Sequence, residues 1–127
     1  MEDRKGTPAP NHGTLIALAK HYLAQRRQRD RYFPGTLFAD PAWDVLLDLY
    51  VAGLENRRVS VSNVCLAAAV PTTTALRWIG LLEEEGLVQR FDDPGDRRRA
   101  YLQLAPHASN SVRDWLLNTF GSAGATQ

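Results

Sequence analysis

The chain has a single cysteine, Cys65, and its one methionine is Met1. One thiol excludes an intramolecular disulfide and a cysteine-based metal cluster. The histidines, His12, His21 and His107, are scattered without ligand spacing, so neither a metal nor a cofactor is expected. No apolar run approaches the ~20 residues that a membrane-spanning helix needs. The opening M-E-D-R-K-G-T-P-A-P lacks the apolar core of a signal peptide, and the expectation is a soluble, cytoplasmic protein with no membrane partner. Neither charge is in large excess: 15 basic residues stand against 14 acidic ones, so total charge alone selects no partner. No Ser/His/Asp arrangement, phosphate-binding glycine loop or metal box is present, and no enzyme is expected.

At 127 residues the chain is long enough for one real core. Its 44% hydrophobic and 23% charged content is that of a globular protein. The distribution of charge says more than its sum. Residues 1–36 carry Arg4, Lys5, Lys20, Arg26, Arg27, Arg29 and Arg31 against Glu2, Asp3 and Asp30, and Arg97, Arg98 and Arg99 are consecutive. Acids collect instead at Asp40, Asp44, Asp48 and Glu83 to Glu85. Charge segregated in this way presents a basic face even in a near-neutral chain.

Taken in order, residues 1–13 are polar and contain Pro and Gly, which predicts a disordered tail. A helix is expected over 14–33, with Leu15, Leu18, Ala19 and Tyr22 at core spacing and Ile16 and Leu23 widening the stripe. Its closing arginine run admits two readings: cations favoured at a helix C-terminus, or an arm that touches phosphate. Asp40 followed by Pro41 is a strong helix start. Trp43, Leu46, Leu47, Tyr50, Val51 and Leu54 then form a core stripe, leaving Asp44, Asp48 and Glu55 to a solvated face. After the polar break at Asn56 to Arg58, Val59 can pair in a short strand. Ser60 caps a short helix that buries Val61, Val64, Cys65 and Ala68. Cys65 reads as a small core residue rather than a redox sensor, with nothing basic expected beside it.

The most informative stretch is Val70 to Val88. It starts at Pro71/Thr72, stops at Gly86, and places Ala75, Ile79 and Leu82 on one helical face. Thr73, Arg77, Gly80 and Glu84 occupy the other, with Trp78 at the edge of the core face. Gly80 costs roughly 1 kcal/mol against alanine in a helix interior, a cost explained by close approach of something large. Hydroxyls of Thr72, Thr73 and Thr74 at a helix start can reach phosphates or base edges, and Arg77 one turn on can bind a guanine edge. Two helices joined by a short turn make a helix-turn-helix, whose second helix enters the major groove. Two alternating strands follow, L-V-Q-R-F-D-D and R-A-Y-L-Q-L, around Pro94-Gly95, with D-D-P-G-D-R-R-R read as the hairpin tip. Residues 106–120 form a last amphipathic helix with Val112, Trp115, Leu116 and Phe120 in a stripe, and 121–127 a disordered tail. The fold expected is mainly α with a small β-hairpin wing: a winged helix-turn-helix over 37–105, flanked by N- and C-terminal helices.

Three stretches in this order resemble the MarR-type winged-helix transcription regulators: V-S-V-S-N-V-C-L-A-A-A-V-P-T-T-T-A-L-R-W-I, then L-L-E-E-E-G-L-V, then D-D-P-G-D-R-R-R-A-Y-L-Q-L-A-P. The last matches the family's wing, in which Asp-x-Arg leads to a strand ending Leu-Thr; here these are Asp96 with Arg98, and Leu104-Ala105. The resemblance implies Arg98 as the minor-groove residue with Asp96 orienting it, and Arg97 and Arg99 as contacts to the DNA backbone. It also implies a homodimer built by the terminal helices 14–33 and 106–120, binding a pseudo-palindromic site on double-stranded DNA as a repressor. Those helices are shorter than the family's usual ones, and no residues for a small-molecule effector are assigned. The alternative is a winged-helix module that docks protein and has no DNA specificity of its own.

Overall fold

The structure is a computed structural model that describes residues 12–33, 40–68 and 70–121. Helix α1 spans His12–Gln28 and ends in a 3-10 turn, Arg29–Arg31. Then come α2 (Pro41–Leu54), β1 (Val59–Ser60), α3 (Val61–Ala67), α4 (Thr72–Glu84), β2 (Val88–Asp93), β3 (Asp96–Leu104) and α5 (Pro106–Leu116), which runs into a wider helical turn at Leu117–Gly121. The three strands form one antiparallel sheet in the order β1-β3-β2. This is the expected mainly helical winged helix-turn-helix with flanking helices. His12 and Gly13 belong to α1 and Gly121 to the last turn, so helix takes in residues read as tail. The rest of both tails, residues 34–39 and Ala69 lie outside the described residues.

Helix α2 is the centre of the packing, and here the single-stripe reading is corrected. Leu47, Tyr50 and Val51 are buried as expected, but so are Val45, Leu49 and Ala52 on its other sides. A helix covered all round belongs inside a core rather than on its surface. Helices α1 and α5 cover it with Leu15, Ala19 and Leu23 from one side and Ala108, Val112 and Leu116 from the other, while α4 adds Ala75, Ile79 and Leu82. The stripes on the terminal helices are thus filled within the chain itself. At the outer seam Tyr22, Trp43, Trp115 and Phe120 form a ring cluster, with centroids 5.0 Å apart for the two tryptophans, and Trp43 Nε1 donates to Tyr22 Oη at 3.0 Å.

The acids of α2 are also not a solvated face. Arg26 Nη1 lies 2.7 Å from Asp44, Arg27 Nη2 3.5 Å from Asp48, and Lys20 Nζ 2.9 Å from Glu55. The pairs run antiparallel and tie α1 to α2. Arg26 is thereby held in the α1–α2 seam, while Arg27 keeps 53% of its side chain exposed.

Two turns with one geometry deliver the sheet. At the end of α2, Arg57 N donates to Ala52 O (2.9 Å) and Asn56 N to Gly53 O (3.2 Å), with Asn56 at φ 56°. At the end of α4, Leu87 N donates to Leu82 O and Gly86 N to Glu83 O (both 3.0 Å), with Gly86 at φ 77°. Both are Schellman caps with a left-handed residue just past the helix. The first feeds β1, where Val59 pairs with Leu102 and Ser60 with Tyr101; the second feeds β2, where Val88 pairs with Leu104.

Candidate nucleic-acid interface

Helix α3 starts on a side-chain cap, Ser60 Oγ accepting from Asn63 N at 3.1 Å. Val64 and Cys65 anchor it in the core. Between α3 and α4 the chain turns through 117°, within the ~90–120° of helix-turn-helix units. Helix α4 is held by Ala75 and Ile79, both at 0% exposure, and by Leu82. Its outer face carries exposed Thr73, Arg77 and Glu84 and half-buried Gly80. Thr72 is exposed as well, Thr74 and Trp78 half-buried. The helix start has Pro71 at the cap position, no side-chain cap and no acid in the first turn. Its first amides are thus left to water or to an outside acceptor.

Gly80 has room for a methyl group: a Cβ placed there meets nothing within 4 Å. Packing inside the protein therefore does not require the glycine. Glu83 does have a structural duty. Arg90 of β2 grips it with Nη2 at 2.8 Å and Nε at 3.1 Å, and these hydrogen bonds hold its carboxyl below the ordinary carboxylate range. The pair locks α4 to the wing. Of the three consecutive glutamates, only Glu84 and Glu85 are exposed.

In the wing, Gly95 N donates to Asp93 Oδ1 at 2.8 Å and closes the Pro94-Gly95 turn. The arginines are not at the tip; they are the second, third and fourth residues of β3. The β2–β3 register jumps here, Asp92 pairing with Ala100 and Asp93 with Asp96, so Arg97, Arg98 and Arg99 have no partner on β2 and all three are exposed. Asp96 Oδ1 accepts from Arg98 N (3.0 Å) and Arg98 Nε (3.3 Å), while the Arg98 side chain stays 92% exposed. Arg99 is hydrogen-bonded to Tyr101, whose hydroxyl donates to Asp93 Oδ2 at 3.1 Å.

The structure thus divides the sequence candidates between two elements: Thr72, Thr73, Thr74 and Arg77 on the first two turns of α4, and Asp96 with Arg97, Arg98 and Arg99 on β3. Among the described residues, Arg31, Arg58, Arg77, Arg97 and Arg99 make no ion pair, whereas Arg26, Arg27, Arg57, Arg90, Arg98 and Arg113 do. Arg58 was not a candidate from the sequence, where it sits in a polar break. Cys65 is corrected in one respect: Arg90 does act on it, but burial is the larger effect and pushes the thiol up. Among the described residues no group of three or more His, Cys, Asp or Glu is placed to hold a metal, and no single helix is long and apolar enough to cross a membrane.

No protein-family model and no curated protein matches the chain. Solved structures do. Staphylococcus aureus MepR in its DNA-binding conformation aligns over 93% of this chain and 85% of its own, at 17% identity and a TM-score of 0.56. The haem sensor PefR of Streptococcus agalactiae, in complex with haem, aligns over 86% and 72%, at 16% identity and 0.54. Bordetella bronchiseptica BpsR, whose DNA binding is regulated by 6-hydroxynicotinic acid, aligns over 82% and 74%, at 23% identity and 0.52. At such identities the likeness is one of fold, and the fold is that of MarR-type winged-helix regulators.

Proposed function

We propose that this protein is a transcription regulator of repressor type that binds a pseudo-palindromic double-stranded DNA site as a homodimer. In this reading α4 enters the major groove and the wing lies along the minor groove. The observation that carries it is the outer face of α4. It joins an uncapped helix start, a row of threonines, an unpaired Arg77 and a glycine that internal packing does not need. Leu76 and Leu81 of α4 are exposed as well, but Thr73, Arg77 and Gly80 beside them are not the leucine and methionine anchors of a face that docks an apolar helix. Thr72, Thr73 and Thr74 meet phosphates and base edges, Arg77 reads a base, and Arg98 enters the minor groove held by Asp96, with Arg97 and Arg99 on the backbone. The DNA-binding conformation of MepR and the regulated DNA binding of BpsR support the same reading.

Exposed Tyr32, Phe33 and Trp115 on the terminal segments supply apolar surface for a second copy. A groove of about 470 Å³ between α1, α2 and α3, lined by Leu23, Val51 and Val64 and by Lys20, Arg27, Asp48 and Arg57, offers space for a small-molecule effector.

The test is binding to duplex DNA across a salt series. The wild type should lose affinity steeply with salt, and Arg77→Ala should cost about 1–3 kcal/mol on the specific site while barely changing non-specific binding. No binding to any genomic fragment, or salt-insensitive binding that Arg77→Ala leaves unaltered, overturns the assignment; an equal loss on every sequence would instead make Arg77 a phosphate contact. Sedimentation at micromolar concentration should show a dimer; a monomer both with and without DNA refutes that part.

A further inference from the structure

A second groove, of about 780 Å³, lies on the other side of α3, between its first turn and β3. Four arginines line it: Arg58 before β1, Arg90 on β2, and Arg98 and Arg99 on β3. Ser62 and Asn63 of α3 add polar groups, and Asp96 is the one acid on the wall. The backbone makes room for it. Strand β1 pairs only with Tyr101 and Leu102, so the stretch of β3 from Asp96 to Ala100 has an edge that β1 does not cover. Tyr101 is the floor beneath Arg58: the guanidinium carbon sits 5.1 Å from its ring centroid. Stacking of this kind orients an arginine without neutralising it.

The four cations are not equivalent. Arg90 is held by Glu83 in two hydrogen bonds, Arg98 by Asp96, and Arg99 leans on Tyr101. Arg58 has its stacking contact and makes no ion pair, although its charge reaches Asp93, which accepts from the hydroxyl of the same tyrosine. The amide at the start of α3 is already taken by Ser60, so the attraction of the groove resides in its side chains.

We propose that this groove seats a phosphodiester of the DNA backbone, and that Arg58 is the residue that grips it. The inference rests on the DNA reading above and extends it: the groove lies between the helix-turn-helix and the wing, where a strand passing from major to minor groove would run. Arg58 is then a positioning residue that fixes the register of the duplex and carries no sequence information. A fork of guanidinium donors, pre-oriented on a ring, matches phosphate oxygens.

The experiment compares wild type, Arg58→Gln and Arg58→Lys on one specific and one scrambled duplex from low to high salt. Arg58→Gln keeps a planar polar end on a shorter stem while losing its charge. Its melting temperature checks that the fold is intact, and Tyr101→Phe, which keeps the ring, serves as a second structural control. The expected result is an equal loss of affinity on both duplexes and a log–log salt slope shallower by about one, with Arg58→Lys restoring the slope. Wild-type binding with an unchanged slope in Arg58→Gln overturns the groove proposal and leaves the DNA assignment standing. So does a loss confined to the specific duplex, which would make Arg58 a base reader. No DNA binding by the wild type overturns the assignment and this proposal with it.

Discussion

Gly80 is where stability and docking make opposite demands on one residue. A methyl group there has free space inside the protein, so Gly80→Ala should raise stability by about 0.5–1 kcal/mol through helix propensity alone. If α4 lies in a major groove, the same methyl sits against the bases and affinity should fall several-fold. Urea unfolding and fluorescence anisotropy on one preparation read both quantities. A variant that is more stable and binds as well as wild type would remove the steric explanation for this glycine. The cost of Gly80 is visible in the sequence because helix propensity is local. Arg58 was not visible in this way, because its setting is made by Tyr101, 43 positions further along the chain.

At the scale of elements, the α1–α2 seam shows how a charge pattern changes meaning once helices pair. Asp44 and Arg26 face each other with 15% and 13% of their side chains exposed, and the arginine also lies 5.7 Å from the Tyr22 ring. Taking away Arg26 leaves Asp44 largely buried without its hydrogen-bond partner, whereas taking away Asp44 still leaves Arg26 with Asp40 at 4.0 Å. Arg26→Ala should therefore cost about 1–3 kcal/mol in urea unfolding. The double variant Arg26→Ala/Asp44→Ala should lose less than the two single changes added together. Additive losses would show that the pair is a surface contact of little worth. The start and stop of α4 could be read in advance, since caps and helical period depend on residues within one or two turns. The setting of the three β3 arginines could not: only the register break between β2 and β3 leaves them without partners on β2.

For the molecule as a whole, two sets of carboxylates bias acid stability in opposite directions. Hydrogen bonds from Arg90 hold Glu83 low, so on acidification the unfolded chain takes up this proton first. Its contribution is complete above the ordinary carboxylate range and is lost as pH falls through the folded value. Burial raises Asp48 more strongly than Arg27 lowers it, so the folded chain takes up that proton first. Its contribution is present at low pH and is lost as pH rises through the folded value. Urea midpoints followed from neutral pH down to about 4 should fall less steeply in Glu83→Gln than in wild type, and more steeply in Asp48→Asn. Parallel curves for all three proteins would mean that neither carboxyl is displaced from its ordinary value in the folded state.

Local rules were enough for the elements and their order: Asp40-Pro41 and Ser60 start helices, Gly86 stops one, Pro94-Gly95 turns a hairpin, and Ala75, Ile79 and Leu82 choose which side of α4 is hidden. Such signals act over one turn of helix or one step of strand, so neighbouring letters suffice to state them. Which charges are left over for a partner is a different kind of fact. Fifteen basic residues look interchangeable in a list. The fold spends Lys20, Arg26 and Arg27 on α2 and its C-terminal cap and Arg90 on Glu83, and leaves Arg58, Arg77, Arg97 and Arg99 without an ion pair on the side of α4 and the wing. That sorting depends on distances between residues far apart in the chain, and only the packing of α1 on α2 and of β1 on β3 sets them.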